Sequence, residues 1–249
     1  MKTISIINNK GGVGKTTLVQ NLSVGLARKG YTVGLIDFDP QANLSSVFGH
    51  EPKETLREIL SEGKKITTQS FSATYQENLY IIPNLKDISV KMFGFLNFQD
   101  EKTILKDKLG KIDFDFLFID TPPNLELQTI NSMIASDFIL IPVKYDIFSL
   151  QGIVTVKEYF DKTKEKINKK LDILGIVATS VDERESINTP LREKLEAIFG
   201  DKVLKSTIKV NTKFKHAQIQ RQDVYAMGDL KAIADFENLI AEILPKLTK

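Results

Sequence analysis

The sequence predicts a doubly wound α/β fold, in which helices cover both faces of a mostly parallel sheet. Short apolar runs recur along the chain with helical patterns between them, and the runs are continuously apolar, as expected for strands that are buried on both faces. The six runs are 3–8, 32–37, 79–83, 115–120, 138–143 and 174–179. No linker-like composition or repeat divides the chain, so we expect one domain over residues 1–249.

The first strand–helix–strand unit is the clearest element. A helix is predicted over 15–29, and Gly30 follows it as a C-terminal cap that tolerates positive φ before the next strand begins. Segments 51–78 and 86–111 are polar with weaker periodicity, although 55–60 has a helical pattern. We interpret both segments as helical excursions from the sheet.

Composition excludes several classes of function. The chain has no cysteine, which rules out disulfides, thiol nucleophiles, thiolate zinc sites and cysteine-held iron–sulfur clusters. No apolar stretch approaches the roughly 18–20 residues that a membrane span needs, and Met1 and Lys2 lead into the first strand without a leader pattern. We therefore expect a cytoplasmic protein. The net charge of +2 identifies no partner, so only local clustering of charge can indicate nucleic-acid binding.

A phosphate-binding loop follows the first strand and opens the first helix. Its residues are Lys10, Gly11, Gly12, Val13, Gly14, Lys15, Thr16 and Thr17. The glycines let the backbone aim its N–H groups at phosphate oxygens, and the helix N-terminus adds about half a positive charge. We expect Lys15 to reach the β- and γ-phosphates, the Thr16 hydroxyl to bind Mg²⁺, and Thr17 to lie near the α-phosphate. A purely structural glycine turn would not need the Lys-Thr pair at this position.

Lys10 occupies a position that is free in the general phosphate-loop pattern. The segment KGGVGKTT resembles the deviant Walker A motif of the ParA and MinD ATPases. The resemblance implies ATP hydrolysis with ATP and Mg²⁺ as cofactors, and a homodimer in which Lys10 contacts the ATP of the partner subunit. A cation delivered in this way would neutralise charge on the transferring phosphoryl group. Taken alone, Lys10 is also compatible with a solvated loop lysine.

Acidic residues end two predicted strands, at the sheet edge where ligands collect. Asp37 and Asp39 follow the second strand, and we expect both to face the nucleotide. This segment resembles the family's DxDPQ switch, which implies that Asp39 positions the attacking water near Mg²⁺. Asp120 ends a later strand in a Walker B arrangement and is expected to hold Mg²⁺ through a water. A capping or turn role is the alternative for these acids, and it is most open for Asp37.

These motifs give one predicted site. Its catalytic residues are Lys10, Lys15 and Asp39, and its metal-binding residues are Thr16, Asp39 and Asp120. Segment 121–123 resembles the family's second switch, and the resemblance continues to about residue 185. Segment 208–211 lacks a proline that the family often has there, so the adenine contacts stay unassigned.

The window 202–222 carries six basic residues and no acid. In ParA relatives the ATP-bound dimer holds DNA nonspecifically through basic residues of the C-terminal part, and such phosphate contacts need charge rather than base recognition. The candidate DNA contacts are Arg184, Lys202, Lys205, Lys209, Lys213, Lys215 and Arg221. A solvated lysine-rich face is the alternative. His50 and His216 are far apart in sequence and are not expected to bind a metal.

The last segment of the chain predicts an amphipathic helix. Its apolar positions are Leu230, Ile233, Leu239, Ile240, Ile243, Leu244 and Leu247. The opposite face is acidic, whereas a helix that lies on a membrane should be rich in Lys and Arg there. We therefore expect this helix to pack on the core, and we expect no membrane partner.

The resemblance implies a ParA-like partition ATPase that segregates plasmid or chromosomal DNA with a centromere-binding partner of ParB type. It would be associated with the nucleoid when ATP-bound. Because no DNA-binding helical module precedes the loop, it resembles the short form of the family. One alternative is a MinD-like or cargo-positioning ATPase that acts on a membrane or protein assembly. Another is a metabolic phosphate-loop enzyme, such as a ligase or small-molecule kinase, against which Lys10 argues.

Overall fold

An eight-stranded sheet, parallel except for one short edge strand, organises the part of the chain that the computed structural model describes, residues 1–48, 54–84 and 102–248. Its strands are β1 (Lys2–Ile6), β2 (Val33–Asp37), β3 (Ser72–Ala73), β4 (Leu79–Ile82), β5 (Phe116–Asp120), β6 (Phe138–Val143), β7 (Asp172–Val181) and β8 (Val203–Lys209). Their order across the sheet is β3-β4-β2-β5-β1-β6-β7-β8. The predicted fold class is confirmed.

Nine helices surround this sheet in the described ranges. They are α1 (Lys15–Arg28), α2 (Asn43–Phe48), α3 (Leu56–Ser61), α4 (Ile104–Lys108), α5 (Leu127–Ala135), α6 (Ile147–Lys166), α7 (Asn188–Phe199), α8 (Lys213–Gln220) and α9 (Leu230–Leu247). The predicted helix over 15–29 is confirmed as α1, with Gly30 at φ 90° just beyond it. The part of the predicted excursion over 86–101 lies outside the described residues.

Two strands were not predicted, and both lie at the edges of the sheet. β3 has only two residues, too few to leave a pattern. β8 lies inside the basic window, where lysines on its exposed positions interrupt the apolar run. An edge strand tolerates such charges because one side of it faces solvent.

Alternate residues of the central strands pack against opposite layers of helices, which is why the strands are apolar throughout. In β2, Leu35 packs with α1 and α9, whereas Ile36 packs with α3 and α4. In β6, Leu140 joins the first layer, whereas Ile139 and Ile141 pack with α6 and α7. Helices therefore cover both faces, as predicted.

Helix α9 closes one face of the sheet. Leu239, Ile240, Ile243 and Leu247 are buried in the core, as expected from the sequence. The expectation was wrong for Leu230, the first residue of the helix, which is 79% exposed. The apolar face of α9 is thus used for packing.

Acidic side chains of α9 bind the backbone of the edge strand β8. Glu242 accepts hydrogen bonds from the N–H groups of Lys205 and Ser206, both at 2.8 Å, where the pairing of β7 with β8 shifts register. Asp235 accepts from the N–H of Lys209 at 2.9 Å. Burial alone would raise the pKa of Glu242, but these hydrogen bonds bring its pKa below the ordinary value. The edge N–H groups are therefore satisfied without another strand.

We expect Glu242→Ala to lower the free energy of unfolding by about 1 kcal/mol, because two backbone N–H groups lose a charged acceptor and water replaces only part of the interaction. Urea denaturation measures the change. Glu193→Ala, at an exposed position of α7, is the matched control. Equal stability of the two variants would show that Glu242 contributes nothing to the edge.

Candidate nucleotide site

A cleft of about 710 Å³ opens at the carboxyl ends of the parallel strands. Most of the predicted phosphate loop lines one wall of it, and Asp39 lines the floor. The loop that lines the cleft follows β1, which stands between β5 and β6, and the chain changes from one side of β1 to the other as it passes from β5 to β6. Ligands of open α/β sheets bind at such positions.

The loop has the backbone that its glycines permit. Gly12 and Gly14 have φ of 70° and 87°, values that other residues adopt only with strain, and Gly14 is the N-cap of α1. The Thr179 hydroxyl donates to the Val13 carbonyl at 2.8 Å. Asn8 accepts from the N–H of Lys10 at 2.8 Å. The ends of β1 and β7 thus fix the loop before any ligand binds.

The Lys15 side chain is enclosed by the loop and is only 7% exposed. Its ammonium group donates to the carbonyls of Asn8 and Lys10, both at 3.2 Å. Burial lowers the pKa of Lys15, although Asp120 and Asp39 partly oppose that effect by their charge. The cation is therefore held by neutral carbonyl groups, and a phosphate oxygen offers it a stronger partner.

Strand register brings two carboxylates together next to the loop. Asp37 and Asp120 are paired positions on β2 and β5, and both are fully buried. The Thr16 hydroxyl donates to Asp120 Oδ2 at 2.7 Å, whereas Asp120 Oδ1 is buried and has no hydrogen-bond partner among the described residues. Burial, and then the charge of Asp37, raise the pKa of Asp120 well above its ordinary value.

This arrangement fits Mg²⁺. A buried carboxylate oxygen without a partner, next to a threonine hydroxyl and further acids, favours a hard cation with oxygen ligands. Among the described residues no three acidic or histidine side chains converge into a cage. Mg²⁺ usually keeps several waters and completes its shell with substrate phosphates, so an open half-site of this kind suits it.

Asp37 and Asp39 have different positions, which corrects one expectation. The Asp37 carboxylate accepts from the N–H of Asp39 at 3.1 Å, and from the N–H and hydroxyl of Ser45 at 2.8 and 2.6 Å. Burial raises the pKa of Asp37 to about 6. It does not line the cleft, because these turn contacts direct it into the protein. Asp39 does line the cleft and is 6% exposed.

Lys10 points away from the cleft that its own loop forms. Its ammonium group binds both carboxylate oxygens of Asp146 at 2.8 Å and the Ser149 hydroxyl at 3.3 Å. Asp146 is the N-cap of α6. Burial would raise the pKa of Asp146, but the hydrogen bonds from Lys10 and Ser149 lower its pKa below the ordinary value. Lys10 is not among the residues that line the cleft.

Comparison with known proteins identifies the family. The model of a family described as an AAA domain matches residues 1–173. The chromosome-partitioning ATPase Soj of Treponema pallidum is 34% identical over 218 residues, which cover 87% of this chain and 86% of Soj. The chromosome partitioning protein ParA of Caulobacter vibrioides is 32% identical over 224 residues, which cover 87% of this chain and 84% of ParA. The chain belongs to the ParA/MinD family of ATPases.

The fold of this ParA/MinD ATPase agrees with that assignment. The septum site-determining protein MinD of Pyrococcus horikoshii, solved as a complex with Mg-ADP, is 25% identical and superposes with a TM-score of 0.79. The match covers 97% of this chain and 95% of MinD. Two predictions from the loop sequence, the family and the enzyme class, are thereby confirmed.

Sequence reasoning connected segment 208–211 with the adenine contacts but left them unassigned, and it did not place α8 at the cleft. The far wall of the cleft is formed by the end of β8 and by α8, and includes Ile208, Val210 and Phe214, with Phe236 of α9 behind them. Phe214 and Phe236 meet edge to face at a centroid distance of 6.1 Å. An apolar and aromatic wall opposite a phosphate loop suits a nucleotide base. Recognising β8 as a strand would have placed this segment at the cleft.

The structure divides the basic residues of this ParA/MinD ATPase into two groups. Three of them pair with acids that lie outside the basic window: Lys202 with Asp172, Lys209 with Glu183, and Arg184 with Asp182. By contrast, Lys205, Lys213, Lys215 and Arg221 are exposed and form no ion pair with a described residue. Lys215 also lines the cleft. Among the helices of the described residues, none combines the length and the apolar character that a membrane span requires.

We expect Asp120→Asn to have opposite effects on stability and on binding. The raised pKa means that the ionised carboxylate is unfavourable in the folded state, so at pH 8 without Mg²⁺ the neutral amide should raise the melting temperature. The gain in ATP affinity that Mg²⁺ provides should fall roughly tenfold or more. Thermal denaturation in EDTA and titration with a fluorescent ATP analogue measure the two effects.

Asp113→Asn, at an exposed aspartate before β5, is the matched control for this prediction. A lower melting temperature for Asp120→Asn in EDTA would contradict the prediction, because it would show that the buried Asp120 carboxylate stabilises the folded protein without a metal.

Proposed function

We propose that this ATPase is a ParA-like partition ATPase: two subunits close over two ATP molecules, the dimer holds DNA nonspecifically, and a partner of ParB type stimulates hydrolysis and release. ATP and Mg²⁺ are its cofactors. The observation that carries the proposal is the direction of Lys10, whose ammonium group binds Asp146 and does not line the cleft, although most of the loop does. A second subunit provides the nucleotide that this lysine would reach.

In the proposed reaction the loop amides and Lys15 hold the β- and γ-phosphates, and Thr16, Asp39 and Asp120 face the metal. Bound Mg²⁺ would neutralise charge on the phosphate oxygens. Asp39, at the floor of the cleft, orients the attacking water, because a carboxylate at neutral pH is too weak a base for outright proton abstraction. Lys10 from the partner subunit offsets the charge that develops on the phosphoryl group.

The role of Lys10 can be tested by particle size. The wild type should dimerise with ATP and Mg²⁺ and stay monomeric with ADP, whereas Lys10→Ala should bind ATP yet remain monomeric, because it loses only the cation supplied in trans. Lys15→Ala should fail at the earlier step of nucleotide binding. Light scattering and nucleotide titration separate the two steps. An ATP-saturated wild type that remains monomeric would refute the proposal.

A second prediction concerns Asp39→Ala. Removing the group that orients water should leave ATP binding and dimerisation intact but lower kcat by at least about a hundredfold, which traps the dimer. Single-turnover hydrolysis and sizing on the same sample measure both properties. Normal turnover in this variant would remove Asp39 from the assigned role.

The described residues favour α8 and the residue after it for DNA contact. Lys213 and Arg221 are exposed, form no ion pair with a described residue and do not line the cleft, whereas Lys202 and Lys209 are already paired with acids. Phosphate contacts by unpaired cations release counterions from DNA and need no base recognition. ATP-dependent binding of this kind would place the dimer on the nucleoid.

Lys213→Ala with Arg221→Ala should therefore weaken ATP-dependent DNA binding and flatten its dependence on log salt by about 0.9 for each phosphate that is no longer neutralised. Fluorescence anisotropy with a random-sequence duplex between low and physiological salt measures the slope. The control, Lys202→Ala, removes a cation that Asp172 already neutralises and should leave the slope unchanged. The reverse ranking of the two variants would move the DNA surface to the amino end of β8.

The single sheet supports one domain over residues 1–249, because it collects strands from β1 to β8 and α9 closes over it. The MinD-like alternative requires an amphipathic helix that is available to lipid. Burial of the apolar face of α9 argues against that alternative.

A further inference from the structure

Side chains hold the backbone of the Asp39 turn on both sides. The N–H of Asp39 donates to Asp37 Oδ1 at 3.1 Å, and Asn84 Nδ2 donates to the Asp39 carbonyl at 3.2 Å. The N–H of Ala42 donates to the same carbonyl at 2.9 Å and closes the turn. The peptide groups on either side of the Asp39 α-carbon are thus fixed, which limits where its carboxylate can lie.

Ser45 connects Asp37 and Asn84, the two side chains that hold this turn. Its hydroxyl donates to Asp37 Oδ2 at 2.6 Å and accepts from the N–H of Asn84 at 2.8 Å. Asn84 is 8% exposed and follows β4 by two residues. Because Ile36 and Ile82 are paired positions on β2 and β4, the neighbouring strand end delivers Asn84 next to this turn. Asp37, Ser45 and Asn84 therefore form one hydrogen-bonded clamp, in which Asp37 and Asn84 are buried and Ser45 is partly buried.

The turn inside this clamp has an unfavourable backbone conformation. Ala42 has φ of 50°, in the left-handed region that favours glycine, and it is buried. Such conformations persist only where the surrounding contacts determine them, and they concentrate at functional sites. Loss of the clamp would allow the strain at Ala42 to relax, and this relaxation would move Asp39.

We propose that Asn84 and Ser45 are positioning residues for Asp39, which act on hydrolysis by fixing the distance between its carboxylate and the γ-phosphate. The inference rests on the proposed role of Asp39. Neither side chain needs to touch the nucleotide. Because a misplacement of about 1 Å costs up to a hundredfold in rate, loss of the clamp reduces the chemical step much more than the binding of ATP.

The test compares Asn84→Ala, Ser45→Ala, the double variant and Ser45→Thr, with Ser61→Ala on the exposed end of α3 as control. Steady-state ATP hydrolysis gives kcat and KM, ATP titration gives the affinity, and thermal denaturation checks folding. We expect each alanine variant to lose roughly ten- to a hundredfold in kcat with KM and affinity within about twofold. Ser45→Thr, which keeps the hydroxyl, should recover most of the rate.

Because the two residues belong to one clamp, the double variant should be little slower than the slower single variant. Wild-type kcat in Asn84→Ala would overturn the proposal, as would losses of rate that multiply in the double variant or that match a loss of folded protein. The Asp39→Ala variant distinguishes a failure of the clamp proposal from a failure of the role proposed for Asp39. If Asp39→Ala is slow while the clamp variants are fast, only the clamp is wrong, whereas a fast Asp39→Ala removes the role of Asp39 itself.

Discussion

The structure depends on one electrostatic constraint, the burial of acidic side chains where β2 and β5 end. The register of the sheet makes Asp37 and Asp120 neighbours, and each is fully buried. Desolvation and mutual repulsion make this arrangement costly, as the raised pKa of both groups indicates. The cost falls where a cation is present, which ties the most stable state of the site to occupancy by metal and nucleotide.

Of the two loop lysines, only Lys15 lowers the cost of burying these acids. Lys15 is buried within the loop near the acids, and its own pKa is lowered by burial. Lys10 lies outside the cleft and is bound by Asp146. A lysine that acts in trans has to exchange that carboxylate for a phosphate. Both side chains of the Lys10–Asp146 pair are about one-third exposed, so breaking this pair costs little, and association with a second subunit in the proposed dimer would offset that cost.

Much of the fold was predictable from the sequence, for a physical reason. Continuous apolar runs and a glycine loop before a helix are local signals, and the six predicted strands and α1 are all present. The missed features depend on contacts between distant segments. β8 was hidden because its lysines are tolerated only at a sheet edge, and the direction of Asp37 is set by Ser45. The pairing of Lys202 with Asp172 likewise joins the residue before β8 to the first residue of β7, so a basic window in sequence is only in part a basic surface.

Helix α8 connects the nucleotide cleft with the proposed DNA surface. Phe214 and Gln218 of this helix line the cleft, whereas Lys213 at its start and Arg221 just after its end are exposed and do not. Only Ala217 of its eight residues is buried, so packing fixes the helix weakly. A base seated against Phe214 would add contacts on the inner side and hold the cations in one place. Nucleotide binding would then order the proposed DNA surface without a large rearrangement of the sheet, because this short helix both lines the cleft and carries the proposed DNA contacts.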